Sequence, residues 1–89
     1  MLEEYRREID DIDRKMLELF EARLDISKKV ASYKRDNGLE IFHPDREEAV
    51  VDKWRSSVSK VEYVDYAEAL IRKIMDLSKD LQKECLGQD

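Results

Sequence analysis

Residues 2–38 read LEEYRREIDDIDRKMLELFEARLDISKKVASYKRDNG. Apolar residues recur at Leu2, Tyr5, Ile9, Ile12, Met16 and Leu19, then at Ile26, Val30 and Tyr33, in steps of three and four. That spacing marks one long amphipathic helix. Over residues 2–35 it would run about 50 Å. Asn37 and Gly38 close it, because both tolerate the left-handed conformation that ends a helix. A helix of that length cannot bury its whole seam against partners folded back from its own end. The uncovered part needs another chain, so the spacing predicts a dimer.

The rest of the chain agrees. Eighty-nine residues make one domain, residues 1–89, whose core is marginal unless subunits share it. Two glycines and one proline are too few to turn the strands of a sandwich or barrel, and 44% of the residues are charged. The fold class is therefore all-α. A second, short helix starts at Pro44, where no amide hydrogen is needed, and runs to about Ser57. After SVSK a third carries Tyr63, Ala67, Leu70, Ile74, Leu77 and Leu81 on a heptad seam and ends near Leu86-Gly87. The order is long, short, long.

Several function classes are disfavoured. A net charge of -5 argues against nucleic acid as a partner. One cysteine and one histidine cannot build a zinc site, and a lone Cys85 fits a reducing compartment. Neither a signal peptide nor a membrane span is legible. The chain reads as cytoplasmic, with no metal and no cofactor.

Polar residues interrupt each apolar stripe. In the first helix, the step of four after Leu19 falls on Arg23, and Lys34, eleven residues on, projects from nearly the same face. Arg23 either snorkels to water along its methylenes or faces a cavity that holds an anion. In the third helix a second stripe, Val64, Ile71, Met75, Ser78, Gln82 and Cys85, contains a hydroxyl and an amide that need partners if buried. In the second helix, stepping back from Val58 through Trp54 and Val51 reaches Glu47, with Arg46 beside it. Glu47 favours the helix dipole in any case. Three separate accidents are a weaker explanation than one shared pocket. Lined by Arg23, Lys34, Arg46, Glu47, Ser78 and Gln82, such a pocket would clamp carboxylates through forked hydrogen bonds. It holds no activated nucleophile, so a reaction there would proceed by positioning and electrostatics.

From YRREIDDIDRKMLELFEAR through KKVASYKRDNGLEIFHPDREE to IMDLSKDLQ, nearly the whole chain resembles the all-helical class of chorismate mutase. The resemblance implies three-helix protomers intertwined into a homodimer with two identical sites. It also implies conversion of chorismate to prephenate by a Claisen rearrangement, in phenylalanine and tyrosine biosynthesis. Arg23 matches an arginine that grips a substrate carboxylate, and Lys34 a lysine that contacts a carboxylate and the ether oxygen. Arg46 and Glu47 match an arginine-glutamate pair whose glutamate accepts from the ring hydroxyl. Ser78 matches a serine at the ring carboxylate, and Gln82 a glutamine that donates to the ether oxygen. Arg6 matches an arginine reaching across from the partner subunit. Helix geometry is consistent with that, since Arg6 lies about 25 Å along the axis from Arg23.

The sequence departs from the family at His43, where many relatives carry aspartate and use the backbone amide to contact the substrate hydroxyl. Two alternatives share these features. One is isochorismate pyruvate lyase, which has a similar helical fold and cationic pocket. The other is a non-catalytic regulatory or docking domain of the aromatic pathway.

Overall fold

A computed structural model describes residues 1–87, all of their regular structure helical. Helix α1 spans Leu2–Asp36, α2 spans Pro44–Ser57 and α3 spans Val64–Cys85, the last preceded by a 3-10 turn over Val61–Tyr63. The turn follows the linker SVSK and takes up Tyr63, which the spacing assigns to the third helix. At 35 residues, α1 sets the 53 Å long axis of a body 25 Å by 18 Å across.

Each helix boundary has a local cause. Gly38 takes the left-handed conformation, with φ 64°, whereas Asn37, at φ −111°, does not. Instead the Asn37 side chain donates to the Tyr33 carbonyl at 2.8 Å and satisfies one open acceptor of the last turn. The Leu39 amide then donates to the Lys34 carbonyl at 2.8 Å and folds the chain back. At the start of α2 the His43 imidazole accepts from the Arg46 amide at 3.2 Å, and Pro44 fills the first turn. His43 thus does through Nδ1 what an aspartate does there through its carboxylate.

Helix α3 is the central element, packed on α1 along one side and on α2 along the other. Its inward stripe is Ile71, Met75, Ser78 and Gln82, all buried. Against it α1 presents Phe20, Leu24, Ser27 and Ala31, a stripe one residue on from the seam through Leu19, Ile26 and Val30, and so about 100° around the helix. Ala31 and Ser27 are small and buried, which lets the two backbones approach closely. Val51 of α2 joins Ile71 and Met75 in a core flanked by Val50, Trp54 and Ile74. Ion pairs reinforce this side. Arg55 meets Glu68 at 2.6 Å and Asp65 at 3.1 Å, and Arg72 joins Glu68 to Glu48. Hydrogen bonds from Arg72 and then Arg55 hold the Glu68 carboxyl below the ordinary glutamate value.

The large apolar residues that define the seam of α1 lie outside this core. Tyr5, Ile9, Ile12, Met16 and Leu19 are all more than half exposed on the protomer. Leu70 and Leu77, on the heptad seam of α3, and Tyr63 in the turn before it are also exposed. The polar stripe of α3 therefore supplies most of the buried core, while the α1 seam from Tyr5 to Leu19 and Leu70 and Leu77 of the α3 seam face outward. Apolar surface this continuous marks an interaction face.

Candidate active site

Where α1 leaves the core and α2 begins, the three helices enclose a cavity of about 310 Å³. Helix α1 supplies Arg23, Ile26, Ser27, Val30 and Lys34, and α3 supplies Met75, Ser78, Lys79 and Gln82. The wall is completed by Ile41 and His43 from the connecting loop and by Arg46, Glu47 and Val50 from α2. Two hollows on the same molecule are roomier, at about 480 and 530 Å³. The larger lies among Met16, Leu17, Leu19, Phe20 and Leu70 and belongs to the uncovered apolar seam. The smallest of the three is the one that gathers the chemistry.

Its polar groups are held in place by one another. The Arg23 guanidinium donates to the Ser78 hydroxyl at 2.7 Å, which leaves the hydroxyl hydrogen to point elsewhere. Gln82 donates through Nε2 to the Ser27 carbonyl at 3.1 Å, and its amide has a second N–H. Lys34 donates to the Ile41 carbonyl at 2.8 Å and so ties the loop to α1, with two further N–H groups on the same ammonium. Burial, and then the neighbouring Arg46 cation, push the Arg23 guanidinium below its ordinary value. Two cations crowded at a partly desolvated spot raise the affinity of that spot for an anion.

Lys79 was not anticipated from the sequence. Its ammonium lies 3.0 Å from Glu47 Oε2 and 4.5 Å from the centre of the Phe42 ring. Burial opposes its charge, but the hydrogen bond to Glu47, with Asp76 adding to it, leaves Lys79 above the ordinary lysine value. In the sequence, Lys79-Asp80 reads as solvated surface. Only its place between Ser78 and Gln82 could have drawn attention to it.

The structure brings Arg23, Lys34, His43, Arg46, Glu47, Ser78 and Gln82 to one cavity, as the periodicity and the resemblance predict for these residues. Arg6 is elsewhere, exposed on α1 and paired with Glu3 at 3.1 Å. Four cations against one carboxylate, on a floor of Ile26, Val30, Val50 and Met75, suit a small molecule carrying more than one negative charge. No cluster of side chains able to hold a metal ion occurs among the described residues, and none of their helices is long and apolar enough to cross a membrane.

The chain has known relatives. Residues 5–83 match the family described as chorismate mutase type II, and the chain belongs to it. It is 34% identical over 89 residues to a protein named chorismate mutase from Methanocaldococcus jannaschii, covering 98% of this chain and 89% of that one. It is 35% identical over 75 residues to the T-protein of Haemophilus influenzae, covering 83% of this chain but 20% of that protein's length. No solved structure matches the chain significantly.

Proposed function

We propose that the protein is a chorismate mutase, converting chorismate to prephenate on the route to phenylalanine and tyrosine. The observation that carries this reading is the gathering of Arg23, Lys34, Arg46, Glu47, Ser78 and Gln82 around one cavity in a chain of this family. In the rearrangement one carbon–oxygen bond breaks as one carbon–carbon bond forms. No proton moves and no covalent intermediate arises, so the reaction needs no nucleophile, metal or cofactor.

The residues divide the work by charge. Arg23 and Arg46 grip carboxylates, and Ser78, accepting from Arg23, donates to the ring carboxylate. Glu47 accepts from the ring hydroxyl and so fixes the reactive chair-like conformer. Holding a flexible dianion in that shape lowers the barrier by several kcal/mol. As the ether bond stretches, negative charge grows on its oxygen. Lys34 and Gln82 aimed there bind the transition state better than the ground state.

On the same reading the chain is one cytoplasmic domain that works as an intertwined homodimer. The outward seam of α1 lies along that of a second copy, and Arg6 of each protomer completes the site of the other. The exposure of Tyr5, Ile9, Ile12 and Met16 supports this, as does the small core of each protomer. The direct test is the loss of chorismate absorbance on mixing with purified protein, run beside isochorismate. Prephenate from chorismate is expected. Untouched chorismate, or pyruvate released from isochorismate, would overturn the reading.

A further inference from the structure

We propose that Lys79 is a positioning residue for this reaction, holding the Glu47 carboxylate toward the substrate's ring hydroxyl and away from the cations that receive the substrate's carboxylates. The inference rests on the mutase reading and adds to it a residue that acts through another.

The geometry is that of a clamp. The Lys79 ammonium spans both carboxylate oxygens of Glu47, at 3.0 Å and 3.2 Å, and lies over the Phe42 ring at 4.5 Å from its centroid. A third contact, to Asp76 at 3.5 Å, is longer and reaches a carboxylate that is 62% exposed. Lys79 and Glu47 have side chains only 23% and 21% exposed, the least exposed ion pair among the described residues. At that depth an ion pair orients its members more firmly than one at the surface. The aromatic ring restricts the flexible lysine stem, so the ammonium is a fixed point.

The cavity explains why Glu47 needs such a fixed point. Arg23, Lys34 and Arg46 line the same space. A carboxylate free to turn would swing onto one of them and neutralise a cation that a dicarboxylate ligand requires. Lys79 approaches from α3 and keeps Glu47 turned to that side. An ionised carboxylate has about four lone-pair sites, and one ammonium contact at each oxygen leaves room for a hydroxyl donor. The hydroxyl keeps its proton throughout, so the clamp alters orientation alone. Because Lys79 sits between Ser78 and Gln82, the same rigid turn of α3 that presents those two also sets the register of Glu47.

The experiment measures chorismate turnover for Lys79→Met, Lys79→Arg, Glu47→Gln and the double variant Glu47→Gln/Lys79→Met. Circular dichroism confirms each fold. Lys79→Met is expected to lower kcat/KM on the order of tenfold, as for other residues coupled through direct contact. The loss should fall mainly in kcat. In the Glu47→Gln background the same change should cost less than about twofold, because a neutral amide is not drawn onto the cations and has no charge for Lys79 to hold. Lys79→Arg should restore most of the activity, since its fork also reaches both oxygens. If Lys79→Met misfolds, Lys79→Gln is read in its place. Activity within about twofold of wild type, or equal losses in both backgrounds, would overturn the inference. A wild-type protein that leaves chorismate untouched would sink the mutase reading itself, a result distinct from these.

Discussion

Between Leu2 and Leu19 helix α1 buries no side chain, whereas between Phe20 and Lys34 it packs on α3 and lines the cavity. The two halves are continuous but differ in charge, with seven acidic against four basic residues over 2–19 and two acidic against four basic over 20–34, and their inward and outward faces differ as well. The first half offers large residues in a heptad, Leu2, Tyr5, Ile9, Ile12 and Met16, and nothing in the protomer covers them. The second buries small ones, Ser27 and Ala31, against a helix of its own chain. Large residues at heptad spacing suit a partner helix of equal length, while small ones let a neighbour come close enough for Gln82 to reach the Ser27 carbonyl. On the proposed reading, one helix serves subunit association with its first half and substrate with its second.

The largest effect should come from breaking the first half. Replacing Ile9 and Ile12 together by glutamate leaves every contact within the protomer in place. It should nevertheless raise the dissociation constant of the proposed dimer by about a thousandfold or more, because that dimer would bury four such apolar side chains. Analytical ultracentrifugation across a dilution series checks this. Next in size are changes to the second half. Arg23→Ala and Lys34→Ala should remain folded dimers and lose about a hundredfold or more in kcat, as expected when a preorganised donor is removed. Steady-state assay beside circular dichroism separates that loss from unfolding.

Much of this arrangement was legible in the sequence. Heptad spacing gave α1, Pro44 marked the start of α2, and the polar interruptions at Arg23, Ser78 and Gln82 pointed to a shared cavity. What could not be read was the rotation of α1 in the protomer, because Ser27 and Ala31 carry almost no hydrophobic signal. Nor could spacing decide which of two stripes on α3 turns inward, since Leu70 and Leu77 look as suited to a core as Ile71 and Met75. Lys79 escaped because a lysine beside an aspartate looks like surface until Glu47 and Phe42 are brought to it.

The smallest of the expected effects sharpens the same contrast. Ala31→Leu would be harmless on the outward seam, but at the close contact with α3 it should cost about 1–3 kcal/mol through overpacking. Urea unfolding measures it, with Arg7→Leu on the exposed first half as the control.

The central claim is that each site is completed by two copies of the chain, with Arg6 coming from the partner. It is tested most directly by mixing Arg6→Ala and Lys34→Ala proteins, each inactive alone, and letting subunits exchange. Random reassortment makes half of the dimers mixed, and each mixed dimer holds one intact site, so the account predicts recovery of about a quarter of wild-type activity. Exchange verified by native mass spectrometry, with no activity beyond that of the two separate variants, would contradict it.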